Sequence, residues 1–439
     1  MELILSEGVS LNSISRGLIG VISILTIAYL LSSNKRKIDW KTILIGLSSQ
    51  FIIALGVIKV DFIRGFFEII GKGFLSIVTY TNKGSEFLFG GLASSDSFGV
   101  IFVFQVLPVI IFFSALTSIL YYYKIIQRVV GVFAWLLTKL LSISGQESLA
   151  VTGNIFLGQT EAPLLVKGYL SKMNKSEYFV LMTGGMATVA GSVLAAFIGF
   201  LGGDDPVQRV EVAKNLIVAS VMAAPGAIVI SKIMFPQTEE INKNVDVSSS
   251  LIGENLLTSI TNGTRDGIKM AVNVAAMILV FVALIALLNG ILFQIAELFS
   301  LNKWVEANTI YKAFSIELVL GYLFAPVMWL IGVASDDTAL MGQLLGIKMA
   351  ANEFVAYIEL ANLKEISSAL SLNYEKSIIM ATIMLCGFAN FSSIGIQIGG
   401  IGILAPNKTK LLTELGFKAM IAGTLVSLLS ATFVGMLIG

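Results

Sequence analysis

The chain contains no histidine and a single cysteine, Cys386, among its 439 residues. A zinc site needs several imidazoles or thiolates around one ion, and an internal disulfide needs two cysteines, so both are excluded. A membrane enzyme is disfavoured too, since no histidine is present to serve as base and no nucleophile–base pair stands out. Charge is sparse: 13% of residues are Asp, Glu, Lys or Arg, and the formal net charge is +1. No nucleic acid is expected as a partner, because that would require a basic face. Prolines number only 7 against 41 glycines, a balance that suits helices packed closely in a lipid bilayer.

What the chain does have is apolar sequence. Hydrophobic residues make up 56% of it and the mean hydropathy is +0.87. A soluble protein of this size could not cover such a core, so the composition predicts an all-α polytopic membrane protein. Eight spans are expected at about 17–33, 42–60, 99–122, 177–202, 211–234, 268–295, 377–404 and 413–438. The run Leu18 to Leu31 has its basic cluster after it and no small-residue cleavage site, so it reads as a retained helix. Residues 61–92 mix Phe66, Phe67, Ile69 and Ile70 with Asp61, Arg64, Glu68 and Lys72, which predicts an amphipathic helix at the interface. Hydropathy leaves open whether 125–143 and 314–333 span.

Basic residues set the orientation. Lys35, Arg36, Lys37 and Lys41 place the first loop in the cytoplasm, and Lys124, Arg128, Lys139, Lys167, Lys172, Lys175, Lys408 and Lys410 fall on the same side. Arg64, Lys72, Arg209, Lys303 and Lys376 fall on the other, so the bias is modest. Eight crossings then leave both termini outside, in a cell (inner) membrane.

Three polar clusters interrupt the apolar sequence: Gly158-Gln159-Thr160-Glu161-Ala162-Pro163, Asn352-Glu353-Phe354-Val355-Ala356-Tyr357 and Phe388-Ala389-Asn390-Phe391-Ser392-Ser393. A carboxylate at the bilayer centre costs roughly 2.5–3.5 kcal/mol on insertion scales. Keeping two there, with amides and hydroxyls alongside, points to a carrier for a small polar solute. The clusters recur. Phe133-Ala134 precedes Leu149 by the 16 residues that separate Phe324-Ala325 from Leu340, an offset of 191, and Glu161 lies 192 residues before Glu353. Gly185-Met186-Ala187-Thr188-Val189-Ala190-Gly191 is similarly echoed 202 residues on by Gly387-Phe388-Ala389-Asn390-Phe391-Ser392-Ser393. Three spans separate the copies, so the repeats are inverted, the arrangement of secondary transporters with a midplane site. Residues 148–166 and 338–361 are too polar and too broken to span and read as re-entrant hairpins. By the repeat, 125–143 and 314–333 are equivalent interfacial elements leading into them.

At these residues the chain resembles the concentrative nucleoside transporters, of the bacterial eight-helix type. Gly346-x-Lys348-x3-Asn352-Glu353-Phe354-Val355-Ala356-Tyr357 matches that family's signature, Gly158 to Pro163 resembles its first hairpin, and Gly387 to Ser392 its second broken helix. The similarity runs from about residue 90 to the C-terminus. It implies a homotrimer of elevator-type transporters that bring nucleosides into the cell. Residues 1–123 (helices 1–3) and 262–300 (helix 6) would form a scaffold, and 124–261 and 301–439 the two repeats of a moving transport domain.

The resemblance also assigns roles. Gln159, Thr160 and Glu161 would hydrogen-bond the nucleobase, whose N–H and C=O edge suits a carboxylate, an amide and a hydroxyl. Glu353 would take the ribose hydroxyls, helped by Asn390 and Ser393. Phe388 would pack on the nucleoside and Val193 would wall the base pocket. Sodium would be held by the side chains of Asn154 and Thr188 and the backbone carbonyls of Leu157 and Val189, as hard oxygen ligands. Five of these residues have a plainer alternative. Glu161 could pair with a lysine or with hairpin amides, Glu353 with Lys348, and Phe388 could be ordinary packing. Asn154 could cap the hairpin's second half, and Thr188 could bond its own helix. Coupling to protons through Glu161 or Glu353 stays open, as do a free-nucleobase carrier and, less well supported, a channel. No cofactor beyond the coupling ion is expected. Asp204-Asp205 and Asp336-Asp337 read as solvated turns or helix caps, and 236–264 as a polar linker containing Asp246, Ser248–Ser250 and Asn262-Gly263-Thr264.

Overall fold

Helix follows helix along the whole chain, and their order spells out the repeat. The computed structural model describes residues 3–6, 8–93, 101–203, 205–245, 255–365 and 370–439. Helices α1 (Leu11–Leu30), α2 (Trp40–Lys59), the amphipathic α3 (Asp61–Phe89) and α4 (Leu107–Tyr122) come first. Then follow α5 (Ile125–Leu141), α6 (Gly145–Phe156), a single turn Ala162–Leu165, α7 (Lys175–Ala187), α8 (Gly191–Gly202) and α9 (Pro206–Met234). The long α10 (Leu256–Leu298) and short α11 (Leu301–Asn308) lead to the second set. That set is α12 (Ile316–Leu330), α13 (Thr338–Ala350), α14 (Glu353–Lys364), α15 (Glu375–Leu385), α16 (Phe391–Leu404) and α17 (Thr409–Ile438). Among the described residues the nearest thing to a strand is one isolated bridge, Ile4 with Tyr374. The fold is all-α, with two helical hairpins and two broken helices as expected.

Seven described helical stretches are long and apolar enough to cross a membrane. The eighth expected span, 377–404, is two half-helices, α15 and α16, separated at 386–390. Residues 177–202 are likewise divided, α7 ending at Ala187 and α8 starting at Gly191. The two breaks lie against each other: the Phe388 N–H donates to the Thr188 carbonyl at 3.3 Å. Gly387 permits this approach. Its φ is +139°, and a Cβ there would lie 2.9 Å from the Ala187 carbonyl, too close for any other residue.

Both hairpins are anchored at the base by buried acids. Ser144 and Glu147 cap α6 reciprocally, and Glu147 also pairs with Lys232 of α9, both side chains buried. Lys232 donates further to Ser176 at 2.9 Å, and Gln146 donates to Glu177 at 2.8 Å. At the second hairpin Asp337, fully buried, accepts from the Asn373 backbone at 2.9 Å, its amide at 3.0 Å, and the Tyr374 N–H at 3.2 Å. Of the two readings, solvated turn or helix cap, the first fails for Asp337 and the second holds by position only: it stands at the N-cap of α13, but its carboxylate makes no capping bond and instead crosslinks two segments. Asp205 does cap, accepting from Val207 N, while Asp204 lies outside the described residues. The linker is also shorter than expected. Helix α10 begins at Leu256 and takes in Asn262-Gly263-Thr264, because Asn255 caps it and apolar periodicity continues upstream. Asp246 and Ser248–Ser250 lie outside the described residues.

Small residues set the helix contacts. Gly263 and Gly267 bring α10 onto α4, where a Cβ on Gly267 would lie 2.8 Å from Ile111 Cα. Gly17 and Gly20 bring α1 onto Met436 and Thr432 of α17 in the same way. Helix α2 meets α9 at Gly46 and through buried Gln50, which donates to the Met222 carbonyl at 2.9 Å. In the second hairpin α12 lies along α13, with Gly342 against Gly321 and Ala325.

Candidate functional site

The first polar cluster forms because α6 stops at Leu157 and the chain turns. Gly158 offers its carbonyl to the N–H groups of both Glu161 and Ala162 at 3.0 Å, and Pro163 opens the next turn. The Glu161 carboxylate reaches back to the Gly158 N–H at 3.4 Å. It is half-buried, and among the described residues no lysine pairs with it; the Gly158 N–H bond is the hairpin-amide half of its plainer alternative. Gln159 is buried, while Thr160 is exposed beside Gly400 of α16.

The second cluster starts α14. Asn352 caps it by accepting from Val355 N at 3.0 Å, leaving Glu353 in the first turn, where the helix dipole favours a carboxylate. Glu353 is buried and accepts from the Asn390 amide at 2.7 Å. The alternative of a Lys348 ion pair is not realised: Lys348 Nζ instead donates to the Met384 carbonyl at 2.9 Å and faces Ser427 Oγ at 3.4 Å. The third cluster caps α16. Asn390 Oδ1 accepts from Ser393 N at 2.9 Å and from Ser392 Oγ at 2.7 Å, while its amide serves Glu353.

A side-chain bond joins the polar clusters of the two repeats. Gln159 Nε2 donates to Ser393 Oγ at 3.1 Å across 234 residues of sequence, so the first and third polar clusters face each other. The Gln159 Oε1 acceptor beside it is buried without a partner. Phe388 sits in the second break and Val193 in the first turn of α8, both buried. Sequence reasoning missed Gln397 of α16. It is buried, donates to the Met182 carbonyl at 3.0 Å, and its Nε2 lies where a Cβ on Gly185 would come within 2.7 Å. The available signal was a lone amide in the run Ile394 to Leu404.

Asn154 and Thr188 meet at Gly184. Thr188 Oγ1 donates to the Gly184 carbonyl at 2.9 Å, and a Cβ on Gly184 would lie 3.1 Å from Asn154 Nδ2. The Thr188 bond is the helix-internal one named as its alternative. Asn154 caps nothing: both atoms of its amide are buried without a hydrogen-bond partner. An orphaned amide oxygen at the end of a half-helix, next to a hydroxyl and the unwound backbone at Leu157 and Val189, is a donor set that fits a small hard cation.

Known proteins point the same way. Family models described as the C-terminus and the N-terminus of the Na+ dependent nucleoside transporter match residues 215–435 and 19–92, and one described as a nucleoside-recognition gate matches 103–204. An uncharacterized transporter of Haemophilus influenzae is 40% identical over 430 residues, 97% of this chain and 98% of its own length. The nucleoside permease NupC of Helicobacter pylori is 37% identical, with 96% and 97% covered. Sodium/nucleoside cotransporter 1 of Rattus norvegicus is 38% identical over 95% of this chain, which spans 63% of the rat protein. Among solved structures, CNTnw in an inward-facing substrate-bound state superimposes with a TM-score of 0.88 at 35% identity, covering 97% of this chain and 99% of that one. A CNTnw variant in an outward-facing state gives 0.89 at 34% identity, with 97% and 99% covered. With family models matched along most of its length and relatives and solved structures matched over nearly all of it, the chain belongs to the concentrative, Na+-dependent nucleoside transporter family and is a multi-pass membrane transporter, not an enzyme.

Proposed function

We propose that this chain is a sodium-coupled nucleoside symporter working inward across the cell (inner) membrane, with both termini outside. The observation that carries the substrate assignment is the Gln159–Ser393 bond at 3.1 Å, which brings two sets of polar groups to one place between the repeats. Gln159, Thr160 and Glu161 serve the base; Glu353, Asn390 and Ser393 serve the ribose; Phe388 and Val193 supply apolar walls. A free nucleobase would leave the Glu353–Asn390 pair at 2.7 Å without a ligand role, which favours the nucleoside. Sodium would be held by Asn154, Thr188 and the carbonyls of Leu157 and Val189. It would supply the positive charge that joins the first hairpin to the first break. Orphaned Asn154 supports this reading.

The motion we propose is an elevator within a homotrimer, the hairpins entering the bilayer from opposite faces and the site travelling with the two repeats at 124–261 and 301–439. Helices α4 and α10 pack on one another through Gly263 and Gly267 and form the fixed part. Close packing of α1 on α17 and of α2 on α9 favours moving those two helices with the repeats, so the scaffold narrows from residues 1–123 plus 262–300 to the α4/α10 pair. The relatives named for sodium and nucleosides, and CNTnw structures in inward-facing and outward-facing states, support coupling and alternating access here.

Uptake into proteoliposomes tests the function. A sodium gradient should drive accumulation of nucleosides but not of free nucleobases, and sodium and nucleoside should each tighten the binding of the other by one factor. Equal nucleoside affinity in sodium and in choline, with uptake driven by a pH gradient, would replace sodium by protons.

A further inference from the structure

The two repeats place different side chains at one equivalent position. In the first hairpin α6 ends on its cap Leu157, and Asn154 lies three residues before that cap. In the second, α13 ends on its cap Ala351, and Lys348 lies three residues before it. The broken helices line up likewise, α7 ending on cap Thr188 and α15 on cap Cys386. Asn154 meets α7 at Gly184, one turn before the cap, and Lys348 meets α15 at Met384, within the last turn. Each side chain therefore stands where the end of a hairpin's first arm crosses the end of a half-helix from its own repeat.

Their chemistry is complementary. The Asn154 amide is buried with both atoms unpartnered. Lys348 is fully buried too, but its ammonium is occupied by the Met384 carbonyl at 2.9 Å and the Ser427 hydroxyl at 3.4 Å. Ser427 in turn donates to the Cys386 carbonyl at 3.2 Å. The last carbonyls of α15, which carry the negative end of its dipole and have no partner within the helix, are thus met by a positive charge and its hydroxyl neighbour. Burying an ammonium without a carboxylate in salt-bridge contact is costly unless such a cradle of carbonyls replaces water.

We propose that Lys348 is the second repeat's resident cation: its ammonium fills the position that sodium occupies in the first repeat, permanently joining the second hairpin to its broken helix. One of the two pseudo-equivalent sites then exchanges its cation with solution and the other carries it on the chain. Lys348 is a positioning residue. It holds α13 against α15, and so sets the distance between Glu353 at the start of α14 and Asn390 at the start of α16. This rests on the sodium reading of Asn154, and the test separates the two.

The test uses the full-length protein, with nucleoside binding measured calorimetrically, bound radioactive sodium counted per protomer, and folding followed by thermal unfolding. Lys348→Met keeps the stem and removes the charge; nucleoside affinity should fall about tenfold, as for one lost bond to a charged group. Lys348→Ala leaves room, and methylammonium, but not choline, should restore both affinity and unfolding temperature. Lys348→Asn copies the first repeat into the second, and nucleoside binding should come to depend on two sodium ions rather than one. If Lys348→Met and Lys348→Ala keep full affinity, or if methylammonium restores nothing and Lys348→Asn binds no extra sodium, Lys348 is a plain helix anchor and the proposal is overturned. Failure of the Asn154 reading looks different: Asn154→Leu would retain sodium binding, while methylammonium rescue at position 348 would still report on the tethered charge.

Discussion

Helices α9 and α10 are neighbours in sequence and opposites in environment. Of the most apolar stretch of α9, 94% is buried inside this chain; of that of α10, 11% is. Yet α10 is the more apolar, with a mean hydropathy of 2.8 against 2.0. In water that order would be inverted. In a bilayer the lipid tails solvate apolar side chains, so the greasiest helix can stand outermost while the protein reserves its interior for polar residues that lipid would reject. The buried block contains Gln50, Glu147, Asn154, Lys232, Lys348, Glu353 and Asn390, whereas α10 approaches α4 at Gly263, beside Ala115 and Ser118, and at Gly267, beside Ile111 and Ser114. The elevator we propose would need such a contrast, a block rich in internal hydrogen bonds beside an apolar pair.

The largest expected break in that contrast is at the base of the first hairpin. Glu147→Gln leaves the Lys232 ammonium buried against a neutral amide and should cost about 3–5 kcal/mol of stability. Glu147→Leu combined with Lys232→Met removes both charges and should recover most of it, as read by unfolding in detergent. Equal losses in the single and double variants would mean that the network is wetter than its burial implies.

Next comes the site itself. Asn390→Ala removes the donor to Glu353 and the cap of α16 together, and should weaken nucleoside binding by about 1.5–3 kcal/mol, roughly 10- to 150-fold. Because this residue is assigned to the sugar, the affinity ratio of ribonucleosides to deoxyribonucleosides should shrink in the variant. A ratio unchanged from the parent would reverse the proposed assignment of sides.

How much of this could be read from sequence follows from what each feature depends on. The polar clusters, both helix breaks and the repeat were legible, because each rests on local chemistry: a carboxylate or amide where lipid tolerates none, and Gly or Pro where a helix must stop. Pairings that close over hundreds of residues were not. Glu353 was expected to choose between ribose and Lys348, whereas its protein partner is Asn390, and Lys348 turned to a helix end. Register was only half legible as well. The offset of 191 holds for the starts of α5 and α12, but the hairpin caps Leu157 and Ala351 are 194 apart, since connections differ in length without leaving a hydropathy signal. Asp337 looked like a surface turn because burial by Asn373 and Tyr374 is a tertiary fact.

A smaller effect is expected between α4 and α10. Gly267→Ala would set a methyl 2.8 Å from Ile111 Cα and 2.9 Å from Ser114 Cβ, and backbone cannot yield as a flexible side chain can. Overpacking of this kind should cost about 1–3 kcal/mol. The same substitution at Gly290, which has nothing within 4 Å, should be neutral or slightly stabilising as a better helix former. Similar losses at both positions would show that the pair is not held through its glycines.

The smallest effect, that of trimming Leu279 in α10, is the most discriminating once set against a buried leucine. Leu216 of α9 is fully buried, and Leu216→Ala should cost about 2–5 kcal/mol through the cavity it leaves. Leu279 of α10 is 71% exposed, and if lipid alone covers it, Leu279→Ala should change stability by no more than about 0.5 kcal/mol, because tails repack where a folded core cannot. The homotrimer we propose needs an apolar face not used within the protomer, and α10 offers Val272, Leu279, Leu287 and Leu298 as exposed candidates. Light scattering of the purified protein should therefore give three copies per particle, and alanine at one subset of these positions should lower that number while leaving the thermal unfolding of the protomer unchanged. If all four substitutions leave three copies intact, α10 faces lipid there and the trimer is held elsewhere; if the parent is monomeric, the fixed part of the elevator has no partner to brace it and the proposed motion loses its anchor.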